Sequence, residues 1–142
     1  MSEQNKATVR RYLEEVFARG DLDAIPELFC TDYVEHDPAS DEEIRGHDGV
    51  RRDLSIYQSA LSDIQITVED QLAEGDRVAS RATMRATQVE ELFGVASSGN
   101  RVTVTGTVIH RLEGGKLARG WWSWDTLGLL QQIGAIPAEQ PA

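Results

Sequence analysis

The hydrophobic period of this chain changes once, between residues 61 and 64, from the 3.6 of an amphipathic helix to the 2 of a half-buried strand. A chain patterned this way folds as helices followed by a sheet. Ile64, Ile66, Val68 and Leu72 alternate with Gln65, Thr67, Glu69 and Gln71, and Glu74-Gly75-Asp76 reads as a hairpin turn. The returning strand sets Val78, Ala82, Met84 and Ala86 on one face and Arg77, Arg81, Arg85 and Thr87 on the other, so the outer face of the sheet is cationic. A loop or short helix over 88–100 leads to a third long strand over 101–112. Glu113-Gly114-Gly115-Lys116 forms a second turn, and a fourth strand covers 117–125.

Ahead of the switch, Ala7, Val9, Tyr12, Leu13, Val16 and Phe17 recur at helical spacing and predict a helix over 3–18, ended by Gly20. Asp21 is an N-cap for a short helix over 22–29. An extended piece over 33–37 stops at Pro38, a polar loop runs over 39–47, and a third helix over 49–61 is capped by Asp48. A last helical turn or two covers 126–133, and 135–142 reads as a loose tail. The chain is therefore one α+β domain over 1–142, with the N-terminal helices packed in the concave face of a curved, mainly antiparallel sheet. Such a sheet wraps into a cone whose mouth is an apolar pocket for a small ligand.

Charge and composition exclude several classes. Against 14 lysines and arginines stand 24 aspartates and glutamates, a net charge of −10 that repels nucleic-acid phosphates and anionic lipid. Cys30 is alone, so no internal disulfide forms, and no Cys/His cluster has the spacing of a metal site. No basic segment leads into an apolar run and no stretch is long enough to span a membrane, which predicts a cytoplasmic protein. Glycine-rich phosphate loops, the G-x-S-x-G elbow and H-E-x-x-H do not occur.

The polar residues on apolar faces are the candidates for chemistry. His110 shares the parity of Val102, Val104, Val108 and Leu112 and points inward, either as a core histidine held by one hydrogen bond or as a site residue. Asp125 closes the run Trp121-Trp122-Ser123-Trp124; it either caps the following helix or reaches the cavity, where tryptophan walls raise its proton affinity. A hairpin symmetric about the Gly114-Gly115 turn sets His110 opposite residue 119 and carries Asp125 toward the level of residue 104. Tyr33, His36 and Asp37 lie at a strand end before proline, as a pocket rim or a solvated turn. The three tryptophans occupy both strand parities, so one faces away from the core unless a bulge intervenes. Met84 and Phe93 are core filling or ligand contacts.

Asn5-Lys6, Val9-Arg10-Arg11-Tyr12, Gly20-Asp21-Leu22-Asp23-Ala24, Asp32-Tyr33-Val34-Glu35-His36-Asp37-Pro38, Arg101-Val102-Thr103-Val104-Thr105-Gly106 and Trp124-Asp125-Thr126-Leu127-Gly128-Leu129-Leu130-Gln131-Gln132-Ile133-Gly134 stand in an order that resembles the SnoaL-like polyketide cyclase family over nearly the whole chain. The resemblance implies the nuclear-transport-factor-2-like fold, a conical α+β barrel. It implies a cofactor-free, metal-free intramolecular aldol ring closure of a small hydrophobic polyketide-like ester. In that reading Asp125 is the acid/base and His110 holds the developing enolate; the residues read above as facing the pocket, Tyr33, His36, Met84, Phe93, Trp122 and Trp124, are the candidates for substrate contact. It also implies a homodimer formed through the outer sheet face. Within the same fold, water addition of the epoxide hydrolase or hydroxylase kind and plain ligand binding are the alternatives. The chain departs from the family pattern at Trp122 and over 94–100, both near the expected pocket mouth.

Overall fold

The structure, a computed structural model, describes residues 2–137. Residues 138–142 of the predicted tail lie outside the described residues. Helix α1, Ser2–Arg11, carries Glu3 in its first turn and Arg10 and Arg11 in its last, the order that the helix dipole favours. It widens into a π-helical turn over Tyr12–Ala18, and the two together make the helix predicted over 3–18. The second helix is shorter than predicted: a 3-10 turn at Leu22–Ala24 and α2, Ile25–Leu28, give way to β1 at Phe29–His36. Strand β2, Ile44–Arg45, pairs with β1 and delivers the chain directly to α3, Gly46–Ala60. Helix α3 thus starts three residues early, with Arg45 at the N-cap position. Asp48 sits inside the first turn, paired with Arg51 at 3.2 Å, and is not the cap.

Four long strands follow: β3 Leu61–Glu74, β4 Arg77–Gln88, β5 Arg101–Glu113 and β6 Lys116–Trp124, then helix α4, Thr126–Gln132. The sheet order is β2-β1-β6-β5-β4-β3, antiparallel except where β1 lies parallel to β6. The two outer strands do not meet, so the cone is open on one side. Val9, Leu13 and Val16 of the first helix pack on Val78, Met84, Val102, Val104, Val108 and Leu112 of the sheet, the inward parity read from the sequence.

Two one-residue bulges decide which side chains face the core. On β6, Leu112 pairs with Leu117 but Arg111 pairs with Arg119, so one extra residue enters the strand and both Leu117 and Ala118 are buried. Beyond the bulge the parity is inverted relative to a regular hairpin: His110 faces Gly120, Val108 faces Trp122, and Gly106 faces Trp124. On β3 a shift between Val68 and Asp70 turns Leu72, predicted inward, out to solvent at 75% exposure. Leu72 then heads a row across the outer face, Leu72, Ala79, Ile109 and Trp121, each the cross-strand partner of the next. Arg77 and Arg119 lie over the Trp121 ring at 5.2 and 5.8 Å, whereas Arg81, expected on the same cationic face, is paired with Asp70.

The loop between β4 and β5 is tied by one buried side chain. The Gln88 amide donates to the carbonyls of Glu90, Val95 and Ala96, and its oxygen accepts from the Ser98 backbone at 2.9 Å. That anchor holds Phe93, at φ +51°, over the cone mouth edge-on to Tyr57 at 5.8 Å.

Candidate active site

The concave side of the sheet encloses a cavity of about 570 Å³, the size of a drug-sized ligand site. One wall is apolar: Phe17 from the first helix, Met84 and Val104 from β4 and β5, Trp122 and Trp124 from β6, Leu129 from α4. Trp122 and Trp124 stack with centroids 4.5 Å apart and planes 8° from parallel. Two inward residues two apart on one strand make this stacking, and both point inward because of the bulge at Ala118. The opposite wall is acidic, built from Glu35 and Asp37 at the end of β1, Glu42 and Glu43 of the following loop, and Asp53 of α3.

Glu35 is the most unusual group in the cavity. It is 7% exposed because β1 alternates inward at Phe29, Tyr33 and Glu35. The Tyr33 hydroxyl donates to its Oε1 at 2.8 Å. Space for that hydroxyl comes from Gly120, which pairs with Glu35 across the parallel strands; a Cβ there would overlap the Tyr33 oxygen. Burial, then the nearby charge of Asp53, pushes the Glu35 carboxyl up to about 8. Asp53 is itself pushed up to about 6 by burial and by Asp37. One turn along α3, burial and the same carboxylates raise Tyr57 well above the ordinary phenol range.

Five of the residues singled out from the sequence line this cavity: Asp37, Met84, Phe93, Trp122 and Trp124. Tyr33 stands behind it, holding Glu35. His36 has the opposite parity and lies on the outer face, stacked on Trp121 at 6.1 Å, with Nδ1 2.9 Å from Glu43. His110 does point inward, but it is fully buried behind Trp122, edge-on to that ring at 6.3 Å and to Tyr12 at 5.7 Å. Among the described residues neither ring nitrogen has a hydrogen-bond partner, not even the single bond expected of a core histidine, and burial pushes its pKa down to about 3.

Asp125 is exposed and outside the cavity. The β6 bulge moves it to the level of Thr105, whose carbonyl accepts from the Asp125 backbone at 2.9 Å, instead of the inward level of residue 104. Its carboxylate caps α4, with Oδ1 accepting from Gly128 N at 2.9 Å, so Asp125 and His110 do not meet. Asp125→Ala is therefore expected to cost about 1 kcal/mol in urea unfolding and to leave ligand binding in the cavity unchanged.

Glu35 and Asp53 escaped the sequence reading, although each carried a signal. Glu35 shares the strand parity of Tyr33, and Asp53 lies on the same helical face as Val50, Leu54 and Tyr57. Among the described residues no group of three or more His, Cys, Asp or Glu side chains is arranged to hold a metal ion. No described helix is long and apolar enough to cross a membrane.

Comparison with known proteins agrees with this architecture. IdmH of Streptomyces antibioticus, a candidate polyketide cyclase, is 29% identical, covers 92% of this chain and 99% of its own, and superposes with a TM-score of 0.80. AclR of Streptomyces galilaeus, a candidate hydroxylase, is 28% identical over 99% of this chain and 87% of its own, with a TM-score of 0.86. A candidate SnoaL-like polyketide cyclase from Jannaschia sp. CCS1, at 23% identity, 96% and 95% coverage and a TM-score of 0.86, shows the shared fold alone, the nuclear-transport-factor-2-like cone. No curated protein matches the chain. The sequence model of the SnoaL-like polyketide cyclases matches residues 7–133, from the first helix through α4 and so across both walls of the cavity; the chain belongs to that family.

Proposed function

We propose that this protein is an acid–base enzyme that closes a ring in a small hydrophobic carbonyl compound by an intramolecular aldol reaction, with Asp53 and Glu35 as the reacting pair. The observation that carries the reading is the pair itself: two carboxyls on one cavity wall whose surroundings push them up to about 6 and about 8. Near pH 7 such a pair holds one proton, which divides the labour. The Asp53 carboxylate takes a proton from carbon next to a carbonyl. Glu35, still protonated, donates to the oxygen on which negative charge develops. The enolate carbon then attacks a second carbonyl of the same molecule, the proton on Asp53 passes to the new alkoxide, and as the first carbonyl re-forms its proton returns to Glu35. The stacked indoles and Phe17 hold the flat apolar body against this wall. This assignment gives the chemistry to Asp53 and Glu35 and leaves Asp125 to the helix cap.

The test is solvent deuterium exchange at the activated carbon of an aryl β-keto ester, followed by mass spectrometry across pH. A bell with limbs near 6 and 8 is expected; a single limb, or no exchange above buffer, removes the pair from the chemistry. Water addition is the second reading, supported by the likeness to AclR, and in it Asp53 activates water. Product mass separates the two: ring closure gives an isomer or its dehydration product, water addition gains one water.

Two copies pairing through the outer sheet face is also part of this proposal. The exposed Leu72 and Ile109 beside Trp121 support it, and light scattering is expected to give twice the chain mass.

A further inference from the structure

Charge is distributed one-sidedly around this cavity. Glu35, Asp37, Glu42, Glu43 and Asp53 line it, and Arg52 is the single cation among its lining residues. Glu43 is engaged by Arg45 and His36, and Asp37 accepts from the Ala39 backbone. Arg52 makes no ion pair among the described residues and is exposed at the rim. The Tyr33 hydroxyl donates to Glu35, and the Trp122 ring N–H is directed at the same carboxyl, so Glu35 is held from two sides. Asp37, Glu42, Glu43 and Asp53 outnumber Arg52 along the lining, so the cavity carries a net negative potential, to which Glu35, kept protonated by burial, adds nothing at neutral pH. The apolar wall opposite offers a ligand's other end the Thr126 hydroxyl and the indole N–H groups, and no charged group.

We infer that the cavity takes a ligand with a flat apolar body and a protonated amine, the body on the tryptophan wall and the ammonium group between Asp37 and Glu42, clear of Asp53, and that it rejects the carboxylate of the same body. This deepens the proposed function by giving its substrate a basic nitrogen, and it rests on the same cavity being the ligand site. A low-dielectric wall behind the carboxylates strengthens their field on a bound cation relative to water. Anionic intermediates bearing a free carboxylate are excluded by the same field.

Three ligands of one shape test this by titration calorimetry at pH 7 and low salt: 2-(aminomethyl)naphthalene, 2-(hydroxymethyl)naphthalene and 2-naphthoate. The amine is expected to bind about tenfold or more tightly than the alcohol, and the carboxylate more weakly than the alcohol by a similar factor. High salt and the double variant D37N/E42Q are expected to shrink the amine preference toward unity, while the alcohol's affinity holds. Amine binding that is absent, or no tighter than that of the alcohol, overturns the inference, and so does carboxylate binding tighter than that of the alcohol, which would put Arg52 in control. The titrations read binding alone, so charge selection can fail while the exchange assay succeeds, and the reverse.

Discussion

Glu35→Gln lowers carbon-proton exchange by an expected two to four orders of magnitude, about what one positioned proton donor contributes, and at the same time makes the protein more stable above neutral pH. The amide is nearly isosteric and keeps the hydrogen bond with the Tyr33 hydroxyl, but it carries no proton to transfer. The stability gain follows from linkage. The carboxyl titrates near 4.5 in the unfolded chain and near 8 in the folded one. Between those values the native state keeps a proton that the unfolded state has lost, so stability is full below about pH 4.5 and falls as pH rises through 8. The loss amounts to about 5 kcal/mol, and glutamine does not suffer it. Urea midpoints from pH 5 to pH 9 should therefore diverge, with the variant flatter and higher at the alkaline end. A variant that loses activity and stability together would make Glu35 a structural residue instead of a proton donor.

The second large effect belongs to His110, on the other side of neutrality. Its imidazole is fully buried, has no hydrogen-bond partner among the described residues, and titrates near 3 when folded against 6.5 when free. The unfolded state therefore binds a proton that the native state refuses, and stability, full above about pH 6.5, is lost as pH falls toward 3. His110→Met fills the space between Tyr12 and Trp122 with an apolar chain and removes both unpaired nitrogens. It is expected to raise stability by about 1–3 kcal/mol at pH 7 and by about 4 kcal/mol more near pH 3, with exchange activity close to native. Loss of turnover without a change in the acid limb would return His110 to the enolate-holding role that the family resemblance gave it. Together the two variants dissect the stability curve: Glu35 shapes its alkaline limb and His110 its acid limb.

Most of the fold was legible because it rests on periodicity. The helical spacing from Ala7 to Phe17, the alternation of Val78, Ala82, Met84 and Ala86, and the two glycine turns each place an element by local rules, and the elements sit where those rules put them. The site was legible in part. Trp122, Trp124, Met84 and Phe93, read from the strands as candidates for ligand contact, line the cavity. His36, judged by chemistry instead of parity, lies on the opposite face. Asp53 was overlooked because an aspartate on a helix is ordinarily solvated, and only the curve of the sheet over α3 half-buries it.

What the sequence determined by itself is the order of the long elements, the inward set on β4 and β5, and the net acidic charge. What only the tertiary structure decided is the register beyond the β6 hairpin. A regular pairing about Gly114-Gly115 carries Asp125 to the inward level of residue 104, whereas the extra residue at Ala118 turns Trp122 and Trp124 in and moves Asp125 to the helix cap. Side chains on a strand alternate with a period of two, so a one-residue slip exchanges the two faces completely. Local sequence does not mark that slip. Packing selects it, because two stacked indoles in the cone bury far more apolar surface than one carboxylate could be desolvated to replace.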